Sequence, residues 1–168
     1  LYDYTTRPRR SILEVLQEFE SVKIPWQRVC SIIPTLRGRQ FSIASAMNLT
    51  AEMEKKTKIE LLIAIVKYKT VIKRIRQGVA TRYIASLTPG QEITVTLSQG
   101  GLGVNQEELD KPVVMVGPGT GVAPMRSLIY QRILWREEQK KLQNGHAQED
   151  DETVKDLLFF GCRNAESD

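Results

Sequence analysis

Between Pro112 and Arg126 the chain reads PVVMVGPGTGVAPMR, and no other stretch limits the possible folds as strongly. Val113 to Val116 form a continuous apolar run, the pattern of a strand buried on both faces of a parallel sheet. Gly117, Gly119 and Gly121 follow at alternate positions, and an amphipathic run opens near Pro124. The local order is therefore strand, tight turn, helix start. Glycine admits positive φ and lets a ligand approach the main chain, while a helix start offers unpaired N–H groups and a positive dipole end. An anion would sit well there. No lysine and hydroxyl residue follow Gly121, which excludes a phosphate loop of the Walker type. The glycines run G-x-G-x-G and do not match the G-x-G-x-x-G dinucleotide fingerprint. Taken alone, the loop is either a nucleotide-binding turn or a plain tight connection.

The 168 residues suffice for one good core or two small ones. A net charge of +4 is too small to indicate nucleic acid without a dense basic patch. Cys30 and Cys162 stand far apart, which argues against a disulfide scaffold or a zinc site and for a reducing compartment. The single histidine, His146, lies in a polar stretch and reads as a solvated loop residue. No apolar run reaches the ~20 residues of a membrane span. A start at Leu1 and an end at Asp168, just after an apolar run, imply a fragment of a longer chain.

Ser11 and Glu14 have the spacing of a capping box, and Ile12, Val15, Leu16, Phe19 and Val22 recur at helical intervals, predicting a helix from about Ser11 to Glu20. Pro25 opens a second helical turn whose apolar face includes Trp26, Val29, Cys30 and Ile33, with Trp26 and Cys30 expected in a core. Arg39 to Ala44 alternates as a strand, Asn48 to Lys58 reads as a polar connector, and Ile59 to Tyr68 as a central strand. Lys67, Lys69, Lys73, Arg74, Arg76 and Arg82 make a basic stretch, either a solvated face or a docking surface for something acidic. Gly78 leads into a short helix with Thr81 as a hydroxyl donor, a second candidate phosphate site.

Ile93, Val95 and Leu97 alternate as a half-buried strand, and Gly100 to Gly103 form a loose loop. Ser127 to Leu142 reads as a helix with Leu128, Ile129, Ile133 and Leu134 inward. Gln143 to Glu152 reads as a surface insertion, and Leu157 to Phe160 as a buried strand. Alternation of strand and helix begins only after residue 112. The expected architecture is thus an antiparallel, barrel-like part followed by a doubly wound α/β part, with the boundary between Leu97 and Pro112.

Four motifs in fixed order, Arg39-Gln40-Phe41-Ser42-Ile43, Gly78-Val79-Ala80-Thr81, Gly117 to Pro124 and Phe160-Gly161-Cys162-Arg163, resemble the ferredoxin-NADP reductase superfamily. Within it the chain is similar to the reductase half of the diflavin enzymes, nearest to the NADPH-dependent diflavin oxidoreductases of cytosolic iron-sulfur protein assembly. The resemblance implies residues 1–34 as the helical tail of a connecting region, 35–111 as part of an incomplete antiparallel FAD-binding barrel, and 112–168 as part of a doubly wound NADPH-binding domain. It implies FAD held by Arg39, Gln40, Phe41, Ser42, Leu62, Ala64, Tyr68, Gly78, Val79, Ala80 and Thr81, with Arg39 on the pyrophosphate, Phe41 on the isoalloxazine ring and Ser42 as the catalytic hydroxyl near flavin N5. It implies NADPH against Gly119, Thr120, Gly121, Cys162 and Arg163, although Cys162 also suits an inert buried thiol.

The resemblance implies an FMN domain of the same parent protein and an iron-sulfur electron acceptor such as anamorsin as partners, a cytoplasmic location, and no metal in this chain. The family's 2′-phosphate grip, its catalytic cysteine and acid and its terminal aromatic lie beyond the G-C-R segment, so NADPH preference rests on the resemblance alone. Gly100 to Gly103 lacks the positive charge that relatives often place there. The rival expectation is a flavin-free scaffold that recruits partners through its basic face.

Overall fold

A computed structural model of the chain describes residues 2–46, 58–142 and 155–164. The expected connector after Asn48, the insertion after Gln143 and His146 lie outside the described residues. Contacts divide the chain into two units, Leu1–Gln40 with Ile65–Glu92, and Phe41–Ala64 with Ile93–Asp168. The fold is mixed α/β, with one small antiparallel and one small parallel sheet among the described residues.

The first unit opens with a single helical turn, α1 (Tyr2–Thr5), and α2 (Ile12–Glu18). The capping box at the start of α2 forms as its spacing requires. Glu14 N–H donates to the Ser11 hydroxyl, and the Glu14 carboxylate accepts from Ser11 N–H at 2.8 Å. Pro25 precedes a 3₁₀ turn (Trp26–Arg28) that runs into α3 (Val29–Ile32). Trp26 is 80% exposed and Cys30 is exposed, so the expected core placement of both fails. Helical periodicity identified a face there, and in a helix this short that face lies in the open.

Strands β1 (Lys67–Lys69) and β2 (Ile75–Gln77) form an antiparallel hairpin in which Tyr68 faces Arg76. Its turn holds Lys73 at φ 62, and the Thr70 hydroxyl accepts from Arg74 N–H at 3.1 Å. The long strand expected from Ile59 to Tyr68 is thus reduced to β1 and, in the second unit, one antiparallel bridge between Ile43 and Leu61. Helix α4 (Val79–Ala85) follows Gly78 directly.

The second unit contains β3 (Val114–Pro118), a 3₁₀ turn (Gly119–Gly121), α5 (Val122–Leu142) and β4 (Leu157–Gly161). Strands β3 and β4 pair in parallel, from Val114 opposite Leu157 to Pro118 opposite Gly161. Helix α5 joins them and packs on β3. It begins five residues before the expected Ser127, because Pro124 falls in the first turn, where its missing N–H costs nothing. Ile133 is exposed rather than inward.

Met115 is 2% exposed, but Val114 and Val116 are each 63% exposed and Phe159 is 60% exposed. β3 is therefore covered on one face only, where its apolar run had suggested two, and β4, expected as a buried strand, is exposed along its whole length because α5 packs on β3. No strand forms over Ile93 to Leu97. Among the described residues, no helix is long and apolar enough to cross a membrane.

Candidate functional site

The loop from Gly117 to Gly121 is shaped by its glycines. A Cβ on Gly117 would lie 2.8 Å from the Val122 Cα, so only glycine lets α5 turn back this closely over the end of β3. Gly119 takes φ 52, the left-handed region, and its missing Cβ faces open space. Because the last register pair is Pro118 and Gly161, the Gly119–Gly121 turn and Cys162–Arg163 leave neighbouring strands at the same carboxyl end. Ligands of open parallel sheets bind at such ends. All five residues expected at NADPH are thus brought to one edge, and the Cys162 thiol is exposed there rather than buried.

The residues expected at FAD fall into two groups. Arg39, Gln40, Tyr68 and Gly78 to Thr81 belong to the first unit, whereas Phe41, Ser42, Leu62 and Ala64 belong to the second. Within the first unit the hairpin brings Tyr68 beside the Gly78 segment, since Gly78 N–H donates to Val66 O at 2.9 Å. Gly78 must be glycine for contact reasons: its Cβ would meet the Thr81 hydroxyl at 2.6 Å and Val66 Cβ at 3.0 Å. The Thr81 side chain is turned inward, buried, and accepts from Val66 N–H at 3.2 Å. Arg39 is exposed and donates one guanidinium N–H to Arg37 O.

Sequence reasoning missed Arg9, which donates to the Tyr68 hydroxyl at 3.1 Å and lies over its ring with 5.1 Å to the centroid. A contact between residues 59 apart leaves no local trace. Glu14 was seen only as a cap. It also pairs with Arg74 at 2.8 Å and Arg76 at 2.7 Å, so two of the basic residues are partly neutralised inside their own unit. The hydrogen bond from Arg76 leads, with Ser11 and Arg74 adding to it, in holding the Glu14 carboxyl far below the usual range.

In the second unit, the bridge between Ile43 and Leu61 places Ser42 and Leu62 beside a bridged pair. Ala44 N–H donates to Glu60 O at 2.8 Å, and Glu60 N–H donates to the Ser45 hydroxyl at 3.1 Å. Two residues near the start of α5 reach the same segment. Arg126 donates to Ala44 O at 2.7 Å and to the Glu60 carboxylate at 2.9 Å, and the Ser127 hydroxyl donates to Ser45 O at 2.7 Å. Lys58 first, and then Arg126, hold the Glu60 carboxyl below its ordinary value.

A second missed feature sits at the other end of the parallel pair, where β3 and β4 begin. Arg132, fully buried in α5, donates to Asp156 at 3.0 Å and to the carbonyls of Glu108, Leu109 and Lys111, while Asp156 also accepts from Val113 N–H at 3.0 Å. Burial pushes the Asp156 carboxyl up, but the hydrogen bonds from Arg132 and Val113 and the nearby Arg136 charge outweigh it, leaving a net lowering. This cluster ties the entries of β3 and β4 to α5. An arginine in an otherwise amphipathic helix gave no sign of being buried.

The FAD binding domain family matches residues 2–83 of the chain. The chain is 50% identical over 167 residues to NADPH-dependent diflavin oxidoreductase 1 of Aspergillus fumigatus, covering 99% of the chain and 25% of that protein. It is 42% identical to the proteins of the same name in Schizosaccharomyces pombe and Saccharomyces cerevisiae, covering 99% and 100% of the chain and 25% and 23% of those proteins. The chain thus spans about a quarter of the length of these curated relatives. With the motifs in order and the likeness running from end to end, the chain is similar over its whole length to part of the NADPH-dependent diflavin oxidoreductases, and its residues 2–83 match the FAD binding domain family.

Proposed function

We propose that this segment belongs to an NADPH-dependent flavoprotein oxidoreductase, where it binds FAD and receives the nicotinamide nucleotide. Electrons from NADPH pass by way of FAD to an FMN domain of the parent protein and then to an acceptor, an iron-sulfur assembly protein such as anamorsin, in the cytoplasm. In this reading residues 1–34 end a connecting region, 35–111 contribute to an antiparallel flavin barrel, and 112–168 begin a doubly wound nucleotide domain. The observation that carries it is the parallel register that delivers Gly119–Gly121 and Cys162–Arg163 to one strand edge, within the same unit as Phe41 and Ser42.

The residues fit the groups proposed for them. Gly119 leaves its main chain open to a ligand, and the Gly117 contact fixes the turn that presents it. In the exposed Arg39 the guanidinium offers a forked, permanent charge suited to a diphosphate. Phe41 supplies a half-buried ring for stacking, and Ser42 an exposed hydroxyl to hold or pass a proton at the flavin N5 edge. Leu62 and Ala64 line the ring edge. Tyr68, with Arg9 stacked on it, serves the adenine end, and Gly78 to Thr81 offer main-chain N–H groups to the pyrophosphate.

When bound, the two cofactors supply the hydride donor and acceptor, and the protein's part is placement and tuning. Lys67, Lys69, Lys73 and Arg82 would steer an acidic FMN domain. The test is to purify the full-length protein, measure FAD released on denaturation, and compare NADPH with NADH as reductants. Near-stoichiometric FAD that bleaches faster with NADPH is expected. A colourless preparation that takes up no added FAD would overturn the reading and leave a scaffold with a basic face.

A further inference from the structure

Arg126 and Ser127 lie just after the nucleotide loop and bind the chain segment that carries Phe41 and Ser42. We propose that these two are positioning residues that set the approach of the nicotinamide loop to the flavin-facing Ser42, a proposal that rests on the FAD and NADPH reading above. The Arg126 guanidinium has three partners: Ala44 O at 2.7 Å, the Glu60 carboxylate at 2.9 Å, and the Tyr130 ring with 4.9 Å to its centroid. A long, flexible side chain held on three sides has one geometry. Ser127 adds a fourth tie through its hydroxyl to Ser45 O at 2.7 Å.

Their targets are themselves fixed. Ala44, two residues after Ser42, is 2% exposed and bonded to Glu60, and the Ser45 hydroxyl accepts from Glu60 N–H. On the other side, Arg126 and Ser127 belong to a 21-residue helix that continues directly from Gly119–Gly121, with Gly117 packed against its first residue. A shift at either end is therefore passed along bonded groups to the other.

Energy and position separate here. The Arg126–Glu60 pair is 41% and 38% exposed, and ion pairs in such settings add little to stability. Placement has far greater leverage on rate, since a displacement near 1 Å costs on the order of 10²-fold in a transfer step. Loss of Arg126 should leave the fold and the cofactors in place and slow the transfer between them.

The test uses the full-length protein with Arg126→Met, Arg126→Lys and Ser127→Ala. For Arg126→Met we expect FAD content and melting temperature close to the parent, NADP⁺ affinity by calorimetry within about 3-fold, and flavin bleaching by NADPH slowed roughly 10- to 100-fold. NADPH deuterated at the transferred position should show an enlarged isotope effect, and Arg126→Lys should recover part of the rate. In FAD-free protein the Ala44 and Glu60 amides should exchange faster with deuterium in Arg126→Met. Unchanged bleaching, or a rate loss that only tracks loss of FAD or of stability, overturns the proposal. If the parent protein takes up no FAD, the functional reading has failed instead, and unaltered exchange at Ala44 and Glu60 then overturns the linkage by itself.

Discussion

Arg132 and Asp156, 24 residues apart, meet at 3.0 Å with the guanidinium wholly removed from solvent. It also donates to the carbonyls of Glu108, Leu109 and Lys111, so truncation removes those bonds together and leaves the partly shielded Asp156 carboxylate to Arg136 and the Val113 N–H. Arg132→Leu should destabilise by about 2–4 kcal/mol, read from urea melts of the protein. Asp156→Asn, which keeps a hydrogen-bond acceptor, should cost less.

The same pair and the Glu14 cluster fix the direction of acid sensitivity. Asp156 and Glu14 both have folded-state values below their unfolded ones. Each therefore contributes stability that is fully present above the ordinary carboxylate range and is lost as pH falls through the folded value. Glu14→Gln should flatten the acid limb of a stability-against-pH curve, and Asp156→Asn should flatten it in the same direction and to a lesser degree. An unaltered limb in both variants would contradict the geometry.

Gly117 and Gly119 should respond differently to the same substitution. Gly117→Ala forces a Cβ against backbone at 2.8 Å and should cost about 1–3 kcal/mol in a thermal melt. At Gly119 the space is open and only the left-handed φ opposes a side chain, so Gly119→Ala should cost about 1–2 kcal/mol. NADP⁺ binding should weaken in both.

Lys73 is a non-glycine residue in the left-handed region, at the turn of the β1–β2 hairpin. Lys73→Gly should raise stability by up to about 1 kcal/mol and Lys73→Val should lower it, measured by chemical denaturation. An equal response to both would remove backbone conformation as the cause.

The Glu14 cluster also decides how docking should be probed. Reversing Arg74 or Arg76 breaks bonds to Glu14 and confuses local damage with lost steering. Charge reversal at Lys67, Lys69 and Arg82 should slow inter-domain electron transfer and reduce its salt slope. A constant rate and slope would show a merely solvated face.

What could be read in advance was what depends on near neighbours. The Ser11–Glu14 box, the turn after Pro25, the helix after Gly78 and the strand, loop and helix around Gly117 all carry their cause within a few residues. Strands fared worse, because alternation marks a face and names no partner. Arg39 to Ala44 yielded one bridge, and Ile93 to Leu97 none. At the site, the three glycines announced a turn, but their separate reasons, a contact at Gly117 and a dihedral at Gly119, appear only in space. Arg9, Arg126 and Arg132 stayed hidden because their hydrogen-bond partners lie 21 to 82 residues away.

The order in which the chain is synthesised gives the buried guanidinium a timing problem. Arg132 leaves the ribosome before Asp156, its counter-ion, and β3 before β4, the strand that completes its pairing. Until the later segment arrives, α5 can coil but cannot seat that charge, so closure of the parallel pair should be a late event as the chain emerges.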